Sequence, residues 1–192
     1  MIISISGVPG SGKSSTAKIL AERLGMTFYS MGSLRGKMAL DRGITIDELN
    51  KIGEDDPTTD TQVDDYQREL GKKEDDFVIE GRLSWHFIPQ SFKIFLDCDP
   101  RTAAERIFSA RKQKDRQDEP MYASVEDAQK EIAARVASDI RRYDKHYQVD
   151  YRDPKNFDLI LDTTSNPGPE ATADAIIAEL KKRGKISSDQ SS

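Results

Sequence analysis

The stretch of this 192-residue chain best suited to chemistry is Gly7-Val8-Pro9-Gly10-Ser11-Gly12-Lys13-Ser14. It fits the pattern GxxxxGK[ST], with a β-branched run before it and helical spacing after it. Glycines let backbone N–H groups curl around phosphate oxygens. A helix start adds unpaired donors and the positive end of a dipole. In such a loop Lys13 reaches the β- and γ-phosphates of ATP, and the Ser14 hydroxyl ligates Mg²⁺. Ser15 completes the ATP-binding set. A glycine-rich turn that binds nothing would not explain why strand, helix, Lys and Ser are all in place.

The loop alone does not separate a small-molecule kinase from a GTPase or a motor ATPase. A GTPase would carry DxxG and NKxD, but Asp162 is followed by Thr163-Thr164 and Asn166 by Pro167. A motor ATPase usually needs a longer chain. The chain instead carries a series of spaced arginines, which suits the binding of two polyphosphates at once. Arg106, Arg111, Lys112, Lys114 and Arg116 cluster in an otherwise acidic chain. Arg135 and Arg142, seven apart on one helix, project from one side. They are placed to bridge a donor γ-phosphate and an acceptor phosphate, where charge stabilisation is most of the catalysis. The competing assignment is helix pairing, with Glu131 to Arg135 and Ser138 to Arg142 each four apart.

Further motifs come in order along the chain: Ser30-Met31-Gly32, Glu80-Gly81-Arg82, Ala104-Glu105-Arg106-Ile107, Arg135, Arg142-Tyr143 and Asp158-Leu159-Ile160. In this order and spacing the chain resembles the nucleoside monophosphate kinases, and among them the short archaeal-type cytidylate kinases. The resemblance runs nearly to the last helix. It implies that Ser30 and Gly32 open the monophosphate-binding segment, with Arg35 as its phosphate ligand. Glu80 would hold Mg²⁺, alone or through water, beside Ser14. Gly81 and Arg82 would border the acceptor, with Arg82 clamping its phosphate through two N–H groups. The alternative for Glu80 is a structural pair with Arg82 or Lys13. Arg106 would lie against the donor adenine or its phosphates, and Arg111 would open the lid over ATP. Asp60, Asp64 and Gln67 would read the base, Gln67 at a pyrimidine amide edge and Asp60 or Asp64 at a cytosine amino group. The implied activity is transfer of the ATP γ-phosphoryl to CMP or dCMP. Adenylate-type or shikimate-type kinases are the related alternatives. A nucleotide-binding regulator that transfers nothing is the other class.

These residues need a scaffold. Ile2–Ser6, Thr27–Tyr29, Phe77–Ile79, Lys93–Leu96 and Leu159–Leu161 read as strands. Helical spacing covers Ser14–Leu24, Ser33–Asp41, a helix capped by Thr45 and Glu48, and one beginning at Asp56-Pro57. In that last helix Val63, Tyr66 and Leu70 form the apolar face. Further helices begin at Pro100, span Val125–Tyr147 and span Glu170–Lys182. Strands alternating with helices call for a parallel sheet covered on both faces. The expected fold is therefore a three-layer α/β P-loop kinase domain over residues 1–183. It has a helical monophosphate-binding insert near 33–75, a short lid near 111–122 and a disordered tail over 184–192. Trp85 and His86 read as packing residues, and Cys98 as a small buried filler. A net charge of −5 argues against a nucleic-acid coat, and one cysteine excludes a disulfide framework. No stretch resembles a signal peptide or membrane span, so the expectation is a cytoplasmic monomer acting on small nucleotides, without nucleic-acid or membrane partners.

Replacing Lys13 removes the cation placed on the transferring phosphate. Lys13→Ala is expected to lower phosphoryl-transfer turnover by orders of magnitude while circular dichroism shows an intact fold.

Overall fold

The computed structural model describes residues 1–56, 58–112 and 121–187. Five strands form one parallel sheet: β1 (Ile2–Gly7), β2 (Thr27–Ser30), β3 (Phe77–Glu80), β4 (Phe92–Asp97) and β5 (Leu159–Asp162), in the order β2-β3-β1-β4-β5. β1 is central and buried along its whole length. Its Ile-rich run suits a strand covered on both faces. The register sets Ile5 opposite Glu80 and Gly7 opposite Leu96, so β1 and β3 deliver the phosphate loop and Glu80 to the same sheet edge.

Helices α1 (Lys13–Leu24) and α8 (Pro169–Lys182) cover one face of the sheet. Ala17, Leu20 and Ala21 from α1 and Ile176, Ile177 and Leu180 from α8 pack there on Ile3, Ile5, Val78, Ile94 and Leu96. On the opposite side lie α2 (Met31–Asp41), α4 (Thr58–Lys73), α5 (Ser84–Phe87) and α7 (Val125–Tyr147), with α3 (Ile46–Asp55) and α6 (Pro100–Lys112) packed on α7. There Met31, Val63, Leu70 and Ile88 pack on Ile2, Phe77 and Ile79. Trp85, Phe87, Phe95, Tyr143 and Tyr151 form an aromatic cluster beside them. Ala104 and Ile107 of α6 meet Ala128 and Ile132 of α7.

Local differences from the sequence expectation have simple causes. α2 starts at Met31 rather than Ser33, because the Ser30 side chain accepts from Ser33 N at 3.1 Å and caps the helix. The Thr45–Glu48 capping box is present. Tyr66 is not on the buried face of α4: it is 42 % exposed while Val63 and Leu70 are buried. The inward stripe runs instead through Asp60, Val63, Asp64 and Gln67, a helical spacing whose polar members helix patterning reads as solvent-facing. The four-residue α5 is too short to show a period. Of the expected lid, residues 113–120 lie outside the described residues, as does the tail beyond 187; the side chain of Arg111 is likewise outside what is described.

Gly10 has φ +77, and a Cβ there would meet the Ala103 backbone oxygen at 2.6 Å and its Cα at 2.7 Å. The loop lies directly on the start of α6, where no side chain fits. Gly10→Ala is expected to lower the thermal unfolding midpoint by several degrees, read by calorimetry, whereas Gly25→Ala, at a position with open space, costs less.

Candidate active site

The phosphate loop leaves β1 and enters α1 at Lys13 with Gly12 in the left-handed region. Lys13 Nζ donates to Val8 O at 2.8 Å. Ser14 Oγ donates to Glu80 Oε1 at 3.2 Å, and the Ser30 hydroxyl donates to the same oxygen. Glu80 is only 4 % exposed. A carboxylate at the end of a buried strand is costly without donors, and the two serines supply them. Arg82, offered by the sequence as a partner for Glu80, pairs with Asp139 instead. Gly32 lies beside this group, where a Cβ would sit 3.5 Å from Glu80 Oε1.

Arg82, immediately after β3, forms an ion pair through Nε with Asp139 of α7, and its Nη1 donates to Gly7 O at 3.1 Å. Its guanidinium also lies over the Tyr151 ring. Burial lowers the Arg82 pKa, but Asp139, Tyr151 and Tyr143 outweigh it and hold the group above its ordinary value. A guanidinium has five N–H groups. Nη2 and one Nη1 hydrogen of Arg82 therefore have no protein partner among the described residues, and Arg82 lines the cleft.

Arg142 is 1 % exposed. Its Nη2 donates to Asp139 Oδ1 at 2.9 Å and to Tyr143 Oη at 3.0 Å. Its Nη1 donates to Asn50 Oδ1 at 3.0 Å and Asn50 O at 3.3 Å, and its Nε faces Asp60 Oδ2 at 3.3 Å. Every guanidinium nitrogen meets a protein oxygen, so Arg142 is the centre of a scaffold in this state. Bridging two phosphates would require it to leave these partners. The competing Ser138–Arg142 pairing does not form; Ser138 donates to Glu54 at 2.5 Å.

Arg35 is buried rather than a solvated helix residue. It donates through Nε to Asn50 Oδ1 at 2.8 Å, and through Nη1 to Thr59 O at 3.1 Å and to Asp60. Burial lowers its pKa, Arg142 adds to the effect, and Asp60 opposes both. Gly53 makes this packing possible, since a Cβ there would lie 3.2 Å from Arg142 Cδ and 3.3 Å from an Arg35 Nη atom. The result is one chain of alternating charge, Arg35–Asp60–Arg142–Asp139–Arg82, linking α2, α4, α7 and the end of β3.

The base-reading candidates divide. Asp60 bonds Arg35 through Oδ1, while its Oδ2 lies 3.3 Å from Arg142 Nε with no hydrogen-bond partner among the described residues. Asp64 accepts from the Tyr147 hydroxyl through Oδ2, and no protein group among the described residues takes its Oδ1. Burial is the main cause that pushes the Asp64 carboxyl up to about 6; the Tyr147 bond opposes it and the neighbouring Asp60 adds to it. Gln67 is buried and its Oε1 accepts from Ser84 Oγ at 2.7 Å. One cleft of about 960 Å³, its solvent-open part included, holds these groups, in the size range of small-molecule sites. It brings together Pro9, Gly10, Lys13, Ser14, Gly32, Arg35, Asp60, Asp64, Gln67, Glu80, Gly81, Arg82, Arg135 and Arg142. Five of its wall side chains are cationic, against four carboxylates.

Gly7, Val8, Ser11, Gly12, Ser15 and Ser30 stand around the loop without lining the cleft. Arg106 lies outside it too. Its Nη2 donates to Thr163 O at 2.8 Å and Thr164 O at 3.3 Å, beside the loop, because Thr163 Oγ1 bonds Ser11 O at 3.2 Å. Cys98 is buried and meets Arg106 at 3.4 Å. Trp85 packs in the aromatic cluster and donates to Arg82 O at 3.0 Å. Sequence reasoning missed Asp139, Asn50, Ser84 and Tyr147. Asp139 carried a usable signal, since it stands three residues before Arg142 on one helix.

A phosphate loop at the carboxyl end of the central strand, facing a helical insert and buried arginines, defines a P-loop kinase. The chain belongs to the cytidylate kinase-like family, whose family model matches residues 2–165. It is 36 % identical over 184 residues to a cytidylate kinase of Methanocella arvoryzae, covering 95 % of this chain and 99 % of that one. It is 40 % identical over 165 residues to a cytidylate kinase of Natronomonas pharaonis, covering 85 % and 81 %. Among solved structures, a shikimate kinase from Bacteroides thetaiotaomicron superposes with a TM-score of 0.61 at 13 % identity, covering 97 % of this chain and 99 % of that one. That last likeness is one of fold.

Removing one carboxylate from the alternating chain leaves buried cations without partners. Asp139→Ala is expected to destabilise the protein by about 3–5 kcal/mol, measured as a fall in the urea midpoint. A loss below about 1 kcal/mol would show that Arg82 and Arg142 do not depend on it.

Proposed function

We propose that this protein transfers the γ-phosphoryl group of ATP to CMP or dCMP, giving the diphosphate and ADP. The observation that carries this reading is the shared cleft, in which Lys13 and Ser14 of the phosphate loop, Arg82, and the polar stripe of α4 all face one space. Membership of a family whose relatives are named cytidylate kinases supports the choice of acceptor.

Lys13 and the helix start hold the donor phosphates. Arg82 grips the acceptor phosphate with its outward N–H groups while Nε stays on Asp139. Arg35 and Arg135 add positive charge to the wall, and Arg106 flanks the donor from the α6 side. Positioning and preorganised charge supply the rate, and no protein nucleophile is needed. Ser14 and Glu80 offer hard oxygen donors 3.2 Å apart, which fit Mg²⁺ held by few protein groups together with substrate phosphates. When bound, that ion neutralises charge developing on the transferring group. Among the described residues no helix is long and apolar enough to cross a membrane. On this reading the chain works as a cytoplasmic monomer on small nucleotides.

Gln67 and Asp64 read the base from one face of α4. Asp64 accepts from the cytosine amino group only as a carboxylate. Its pKa is raised to about 6, so it is ionised above that pH and becomes a donor below it. kcat/KM for CMP is therefore expected to fall as pH drops through about 6, and Asp64→Asn removes that inflection. A coupled ADP-release assay across CMP, dCMP, UMP, AMP and shikimate tests the whole reading. CMP or dCMP should lead, with UMP about ten- to a hundred-fold lower, the cost of leaving one buried polar group unpaired. AMP as the best acceptor would overturn the base assignment. Absence of ADP release with every acceptor would overturn the kinase assignment.

A further inference from the structure

We infer that Ser84 and Tyr147 are specificity-determining residues that act by positioning, fixing which polar atom of Gln67 and of Asp64 meets the base. The inference rests on the cytidylate reading above and adds to it two residues that do not themselves contact the base.

A carboxamide can present either a donor or an acceptor, so an unrestrained Gln67 would accept cytosine and uracil alike. Here the Ser84 hydroxyl donates to Gln67 Oε1 at 2.7 Å in a buried setting. Ser84 is fully buried, and it belongs to α5, which packs against α4. The bond occupies the acceptor end of the amide. No protein group among the described residues takes Nε2, and Gln67 lines the cleft, so the end left for the ligand is a donor. Asp64 stands three residues earlier on the same face of α4. Tyr147 reaches it from α7 and bonds Oδ2, leaving Oδ1 as an acceptor. The Tyr147 ring is itself fixed, edge-on to Phe87 at 5.5 Å.

The wall therefore presents one donor and one acceptor side by side. Cytosine offers the complement, the N3 acceptor next to the N4 amino donor. Uracil offers the reverse, the N3–H donor next to the O4 acceptor. To take uracil, Gln67 must turn its amide away from Ser84 and Asp64 must carry a proton. Each pin makes one of those changes costly: with the amide turned, Ser84 can accept from Nε2 but its buried hydroxyl hydrogen loses its acceptor, and the Tyr147 bond favours Asp64 in its ionised form.

The test measures kcat/KM for CMP and UMP with the wild type, Ser84→Ala and Tyr147→Phe, with thermal midpoints alongside. Each variant is expected to lower the CMP-to-UMP ratio by about tenfold, the size of one lost buried hydrogen bond, with KM for ATP unchanged. A structural defect would depress both acceptors together and leave the ratio alone. Tyr147→Phe keeps the ring contacts of a half-buried residue, so it carries the test even where Ser84→Ala fails to fold. A CMP-preferring wild type whose folded variants keep the ratio within twofold would overturn this inference and leave the cytidylate reading standing. A wild type with no CMP preference would overturn both.

Discussion

The structure depends on the pairing of three buried arginines with two aspartates. Arg35, Asp60, Arg142, Asp139 and Arg82 alternate in charge, and their side chains are between 2 % and 15 % exposed. A lone guanidinium in that setting would be strongly disfavoured, and so would either carboxylate. Each group is tolerable only with its neighbours in place. Docking of α2, α3 and α4 onto α7 is therefore the same event as assembly of the cleft wall. Buried ion pairs contribute little net stability compared with well-packed apolar groups. Their effect here is to hold three guanidinium groups, fixed in orientation, on the wall of the cleft.

Two further contacts tie this wall to the phosphate loop. Arg82 donates to Gly7 O, at the point where β1 becomes the loop. Glu80 accepts from Ser14 at the start of α1 and from Ser30 at the start of α2. Both residues leave β3 two positions apart, and β3 lies next to β1 in the sheet. The parallel sheet thus sets the distance between the phosphate loop and the arginine wall. The α7 helix binds the insert along several turns, since Glu54 meets Ser138 and Arg141, and His146 Nε2 lies 3.1 Å from Gly53 O.

The phosphate loop was legible in the sequence because all its requirements are local: a strand, glycines, Lys and Ser within eight positions. The five strands and the long α7 helix were legible for the same reason. The arginine partners were not. Arg82 and Asp139 are 57 positions apart, and only the folded chain shows that α7 crosses the end of β3. Arg142 was expected at the phosphates because its spacing from Arg135 is right, yet its nitrogens are occupied by Asn50, Asp60, Asp139 and Tyr143. Spacing identifies which side of a helix a residue occupies but not which neighbours it meets there. Asp60 likewise looked like a base reader, and the structure places both its oxygens within ion-pair distance of arginines. Tyr66 shows the opposite error: an aromatic residue at apolar spacing that faces solvent, while the polar Asp60, Asp64 and Gln67 turn inward.

The five charged residues act as one unit through Arg142. A double-mutant cycle on unfolding free energy, using Asp60→Asn, Asp139→Asn and the double variant, tests it directly. The two carboxylates share Arg142, and no ion pair or hydrogen bond joins them to each other. An interaction energy of about 1 kcal/mol or more is expected, within the range found for residues in one charge network. Effects that add to within about 0.5 kcal/mol would show two independent ion pairs instead of one network.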